Sequence, residues 1–174
     1  MQTADQLIAN QQWRQVVRLL APAHARTAQM NYDYGLALAH LGQWQEAGAA
    51  LQAGGRLAPT DPRFPIELAG IAYSRKDYPR AARLLRQALK LAPGDAYANN
   101  FLATIYFLQG NTAAALKYWN RVNKPFIAAV RAEPTPRVSP ALLDHAFAFS
   151  PAATMSLAQY QDSEERIGGL GIFP

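Results

Sequence analysis

Three histidines, one pair of adjacent carboxylates and two glycine pairs are the material from which this 174-residue chain would have to build a reactive centre. His24, His40 and His145 lie far apart in different segments. None has a histidine or carboxylate three or four residues on, the spacing that would put two ligands on one helix face. Glu164 and Glu165 are neighbours, so on a helix they diverge and read as a solvated face. Gly54-Gly55 and Gly168-Gly169 read as helix ends. No GxSxG elbow, phosphate loop or glycine-rich dinucleotide turn is present. There is no cysteine, which excludes thiolate metal sites and a disulfide framework. The expectation is a chain that is not an enzyme and uses no cofactor or metal.

Charge is the next source of chemistry. Lys76, Arg80, Arg83 and Lys90, with Arg75 and Arg86 beside them, fall on one outer helix face. No aromatic platform for bases is interleaved with them, so nucleic acid is not the expected partner. Residues 1–125 carry 14 Lys or Arg against 7 Asp or Glu, and residues 126–174 carry 3 against 5. A basic front part is thus followed by a slightly acidic tail, and the two can attract each other. Half of the residues are hydrophobic and 17% are charged, a globular composition. No apolar run is long enough for a membrane-spanning helix. Gln2 to Asn10 has neither the basic start nor the apolar core of a signal peptide. The compartment stays open between cytoplasm and periplasm.

Positioning any of these groups falls to a repeated helical unit. Pro62 to Asp95 holds two amphipathic patterns back to back. The first carries Ile66, Leu68, Ala69, Ala72 and Tyr73; the second carries Ala81, Leu84, Leu85, Ala88, Leu89 and Leu91. Apolar residues recur at three and four, as one buried helix face requires. Asp61 is the expected cap of the first helix, with Pro62 at its first position, and Asp77 caps the second. Shifted by thirty-four, the chain matches itself. Gly35, Ala69 and Ala103 share a column, as do Ala47, Ala81 and Ala115. Leu38, Ala72 and Tyr106 share another, and Pro59 and Pro93 each close a copy inside Leu-Ala-Pro. Small residues in such columns let one helix lie close against the next.

This pattern resembles the tetratricopeptide repeat, whose period is 34 residues with small, aromatic and proline positions in this order. The resemblance implies an all-α fold: a right-handed α-solenoid of helical hairpins, here with a C-terminal helical appendage. Residues 1–27 read as a truncated capping repeat, echoed by Gln12-Trp13-Arg14 against Gln43-Trp44-Gln45. Full repeats are expected at 28–61, 62–95 and 96–125. A closing helix follows at 126–132, with Phe126, Ile127 and Val130 facing inward. Then come a proline-rich linker at 133–140 and a helical tail at 141–174. The copies depart from the family at two places. Asn31, Pro65 and Asn99 stand where an early tryptophan is expected, and Ile127 replaces the closing proline of the third copy.

In tetratricopeptide arrays the first helix of each hairpin lines the concave face. The resemblance therefore assigns Tyr32, Leu36 and His40 to a peptide-binding groove from the first full repeat. The second contributes Arg63, Ile66 and Tyr73, and the third Tyr97, Asn100, Phe101, Thr104 and Phe107. The set is aromatic and nearly uncharged, suited to an apolar helix or a peptide with bulky anchors. Chaperone-binding members of the family hold a C-terminal carboxylate with Lys, Asn and Arg on this face. Here Tyr32, Leu36, Glu67, Tyr97 and Phe101 occupy those places, so that partner class is not expected. The expected function is a non-catalytic module for a protein or peptide partner.

The tail carries Leu142, Leu143, Phe147, Phe149, Leu157, Tyr160, Ile167 and Phe173, too much apolar surface to leave in water. Two short helices cannot bury it alone. Docking on its own array, or self-association with a second copy, is expected. A helix ending at Glu164-Glu-Arg-Ile167 and followed by Leu170-Gly-Ile-Phe173 is similar to the start of polypeptide-transport-associated domains. That resemblance implies an alternative: the soluble front part of a bacterial envelope export or assembly protein, whose tail leads into such a domain.

Overall fold

A computed structural model of the chain describes residues 3–23, 25–130 and 139–170. Those residues form ten α-helices and one 3-10 turn. The backbone divides into two compact units, Met1–Ala98 and Asn99–Pro174.

The first unit holds α1 (Ala4–Ala9), α2 (Trp13–Leu20), α3 (Ala28–His40), α4 (Trp44–Leu57), α5 (Arg63–Ser74) and α6 (Tyr78–Leu91), and the start of α7 (Ala96–Leu108). Capping residues set the starts. Thr3 and Gln6 form a capping box on α1. The Thr27 hydroxyl accepts from the Met30 N–H, and the Asp77 carboxylate from the Arg80 N–H. At α5 the helix begins one residue later than expected. Pro62 is the cap position and the Asp61 carboxylate accepts from the Arg63 N–H at 3.0 Å.

One turn joins the two helices of every hairpin. The Gln12, Gln43, Asp77 and Asn111 N–H groups reach back to the carbonyls of Leu7, Leu38, Ala72 and Tyr106 at 2.8–2.9 Å. The preceding residue has positive φ each time: Gln11, Gly42, Lys76 and Gly110. This is a helix C-terminus closed by a left-handed residue, where glycine is favoured but not obligatory. Packing then follows the small columns. α3 lies against α4, α5 against α6, and α4 against α5. A Cβ at Gly35 would stand 2.7 Å from Leu51 Cγ and 3.3 Å from the Ala47 carbonyl oxygen. One core gathers Leu38, Ala47, Leu51, Phe64 and Ile71. A second gathers Leu7, Val16, Leu20 and Ala37, so the short first hairpin packs on α3.

The second unit holds the rest of α7, α8 (Thr112–Trp119), the 3-10 turn Asn120–Val122, α9 (Pro140–Ala146) and α10 (Leu157–Gly169). The tail helix α10 packs on α8. The closing helix expected at 126–132 is absent over its described part. Phe126 pairs instead with Thr154 in an isolated antiparallel bridge. The Ile127 N–H donates to the Ala153 carbonyl at 2.8 Å, and the Ala152 N–H donates to the Ile127 carbonyl at 2.9 Å. Those backbone groups are spent on the tail, so no helical ladder can form there. Ile127 is buried, whereas Phe126 is exposed. Asn120 joins the same two segments. Its Nδ2 donates to the Lys124 and Met155 carbonyls at 2.9 and 2.8 Å, and its Oδ1 accepts from the Leu157 N–H at 2.9 Å. Ser156 and Gln159 close the capping box expected on α10. Most of the proline-rich linker, the terminal Gly-Ile-Phe-Pro and His24 lie outside the described residues.

Candidate binding face

Tyr32, Leu36 and His40 stand at four-residue intervals on α3, and Arg63, Glu67, Gly70 and Ser74 at three- and four-residue intervals on α5. That spacing makes one face on each helix. The two faces meet. The Tyr32 hydroxyl donates to Glu67 Oε1 at 3.1 Å. Arg63 lies over the Tyr32 ring, its Cζ 4.6 Å from the centroid. The Arg63 guanidinium is held by Asp61 at 2.7 Å and donates to Gln29 Oε1 at 3.1 Å. Gln29 in turn donates to buried Asp33 at 2.8 Å. The Tyr32 ring meets Phe64 edge-on, with centroids 5.7 Å apart. Such edge-to-face geometry fixes ring orientation beyond what area burial alone does.

Electrostatics follow from burial. Loss of water pushes the Glu67 carboxyl above the usual carboxylate range, while the Tyr32 hydroxyl and His40 pull it back. Burial, with the neighbouring carboxylate, drives the Tyr32 phenol up. The Asp33 carboxyl is raised by burial against the opposing hydrogen bond from Gln29. The Arg63 hydrogen bond holds Asp61 below its ordinary value.

The other expected residues divide into several environments. His40 stacks on Trp13, with ring centroids 3.9 Å apart and planes 2° from parallel. Ile66 is only 9% exposed and belongs to the packed interior. Half-buried Tyr73 lies 5.7 Å from Tyr78, centroid to centroid. Tyr97, at the start of α7, is 64% exposed, and burial together with Glu67 raises its phenol. In the second unit Phe107 is 55% exposed, with Trp119 at 5.5 Å. There Thr104 donates to the Asn100 carbonyl and Asn100 Oδ1 accepts from Lys124 Nζ at 3.2 Å. Phe101 is half-buried.

Two features of the first unit go beyond the sequence reading. Glu67, which the family register places on the concave face without a binding role, is the sole acidic residue of α5 and the carboxylate at the centre of the α3–α5 face. A groove of about 420 Å3 lies between α4 and α6, walled by Trp44, Gly48, Gln52, Arg75 and Arg80. Its wall comes from α4 on one side and from the α5–α6 hairpin on the other, so no local motif announces it. Among the described residues no group of three or more His, Asp or Glu side chains comes together to hold a metal ion.

Known structures share this architecture. A MamA structure superposes with a TM-score of 0.63 at 18% identity, over 68% of this chain and 66% of that one. MamA from Desulfovibrio magneticus RS-1 gives 0.61 at 18% identity, over 68% and 69%. YrrB, described as a TPR protein with an unusual peptide-binding site, gives 0.60 at 16% identity, over 68% and 62%. The matched region thus spans just under two thirds of the first of these chains and of YrrB. At such identities the likeness is one of fold. A search of curated protein sequences gave no match. The family comparison rests on sequence instead, and it matches over residues 7–62 and 66–134, well over half the chain, so the protein belongs to the tetratricopeptide repeat family.

Proposed function

We propose that this protein is a non-catalytic binding module that takes up an apolar or aromatic peptide or helix on the inner face of its first helices. Tetratricopeptide repeat proteins are in general protein-interaction modules, and the specific occupant is the new element. The observation that carries it is the exposure of Tyr97, a large aromatic side chain left 64% open beside the Tyr32–Glu67 face. Exposed aromatics with a polar tip are the side chains that anchor partners. Leu36 on α3 and Tyr73 on α5, both half-buried, are the further contact residues of the first unit. In the second unit Asn100, Phe101, Thr104 and Phe107 are the contact residues assigned by the same register. No lysine or arginine clamp for a terminal carboxylate stands at the matching places, so the side chains of the partner carry the recognition.

Selection from a displayed random-peptide library tests this. Recovered peptides are expected to carry Phe, Leu, Ile or Trp at helical or alternating spacing. Their affinity should fall at least about tenfold in Tyr97→Ser and Leu36→Asp, with melting unchanged, and amidation of the peptide C-terminus should have no effect. Affinity that survives both substitutions, or that is lost on amidation, overturns the reading.

A further inference from the structure

We propose that the cleft between α3 and α5, with Glu67 in its wall, is an anchor pocket for one lysine side chain of the bound segment. The inference rests on the peptide-binding reading above and names what that peptide must carry.

The cleft is lined by Leu36, His40, Trp44, Glu67, Gly70 and Ile71, among others. Its volume is about 190 Å3, enough for about six waters at ~30 Å3 each, which is the scale of one long side chain. Leu36 and Ile71 offer an apolar wall to an alkyl stem. Trp44 at the rim offers a ring face to a cation. Glu67 supplies the opposite charge.

Three observations make this more than a concave surface. First, Glu67 is a half-buried carboxylate without an ion pair among the described residues. Arg63 is held by Asp61 and Gln29 through Nε and Nη2, and none of its three guanidinium nitrogens bonds Glu67. His40 is stacked on Trp13. Burying an unpaired carboxylate is costly, and a cation supplied by the partner offsets that cost. Second, Oε1 accepts from Tyr32, whereas Oε2 accepts no hydrogen bond from the described residues and is not sealed from solvent. One open oxygen suits the point charge of an ammonium better than the two-pronged fork of a guanidinium. Third, Gly70 sits in the interior of α5, where glycine costs about 1 kcal/mol relative to alanine. Packing does not require it, because a Cβ there would meet nothing within 4 Å. Its bare backbone keeps the cleft open.

The test uses three synthetic peptides, N-acetyl-Phe-Lys-Phe-Leu amide and the same peptide with norleucine or glutamate in place of lysine. Each is titrated into the full chain and followed by amide chemical shifts. The lysine peptide should bind about tenfold more tightly than the norleucine peptide, the scale of a charge-assisted hydrogen bond. The glutamate peptide should be the weakest. Glu67→Gln keeps an oxygen for Tyr32 and should erase the gap between lysine and norleucine. Gly70→Leu fills the cleft and should erase it too, with helicity unchanged. Equal affinity for lysine and norleucine in the parent chain, or a gap that survives Glu67→Gln, overturns the lysine pocket. If such peptides still shift the amides of Leu36 and Tyr73, the groove reading stands without it. If no peptide shifts them, both fail.

Discussion

Two glycines of the same helix should answer the same substitution with opposite signs. Gly48 and Gly54 both lie within α4. A Cβ at Gly48 would meet nothing within 4 Å. Gly48→Ala therefore gains only helix propensity and lower unfolded-state entropy, roughly 0.5–1 kcal/mol. At Gly54 the Cβ would stand 2.7 Å from Phe64 Cζ and 3.0 Å from Asn31 Cβ, and it would overlap Phe64 Cε1. Phe64 is 2% exposed and its ring is held edge-on to Tyr32, so it has nowhere to turn. Overpacking of this kind costs about 1–3 kcal/mol, and three contacts at 3.0 Å or less put Gly54 at the upper end, about 2–3 kcal/mol, against about 1 kcal/mol gained in propensity. The net expected for Gly54→Ala is a loss of about 1–2 kcal/mol. For a chain of this length that lowers the melting temperature by roughly 2–8 °C, while Gly48→Ala raises it by roughly 1–4 °C. Far-UV circular dichroism of both variants and the parent, in one buffer and at one scan rate, measures it. Adding Phe64→Leu to Gly54→Ala should cost less than the two changes summed, because the smaller side chain removes the clash. A Gly54→Ala variant that melts at or above the parent refutes the account of how α4 meets α5.

Ala81 is fully buried where α6 meets α5, so Ala81→Arg should cost at least about 3 kcal/mol through overpacking and a buried charge; an unchanged melting curve would mean the hairpin register is wrong. Asn120→Ala removes three hydrogen bonds, two of them to the tail at Met155 and Leu157 and one to Lys124, worth roughly 2–3 kcal/mol together. Amide exchange over 155–165 should quicken, and unchanged protection there would show that other contacts hold α10. Glu67 titrates above its ordinary value in the folded chain, because burial disfavours its charged form. The folded state then binds that proton more tightly than the unfolded state. Its contribution is fully present below the unfolded carboxyl value and is lost as pH rises through the folded one. Glu67→Gln should flatten this part of the stability profile, as urea titrations across mildly acidic pH would show; an unchanged slope would place the carboxyl in water.

Much of the architecture was legible because the period is a packing rule. Gly35 and Ala47, with Leu51, recur at intervals of thirty-four as Ala69, Ala81 and Leu85, and each set makes the same helix contact. Caps were legible for the same local reason: Thr3, Asp77 and Ser156 each bond an N–H three residues on. Even Lys76, a non-glycine at φ 59°, keeps the turn that Gly42 and Gly110 make. The candidate face was legible only as a list of positions. The period put Ile66 on the buried face and the family register put it in the groove, and only the structure decided for the interior; nothing in the period said that His40 would lie flat on Trp13.

What the sequence by itself determined, then, is the hairpin array, since helix periodicity, capping and small-residue columns act within one repeat or between adjacent ones. Tertiary structure alone decided the rest. Tyr32 meets Glu67 across 35 residues, and Asn120 meets Leu157 across 37. Such pairs depend on how two helices are rotated and offset, which a count of residues does not encode. The segment after Lys124 shows the same physics most plainly: Ile127 could have joined a closing helix by local preference, but the Ala153 carbonyl took its N–H, and a hydrogen bond to a distant strand of chain outranked the nearest helical one.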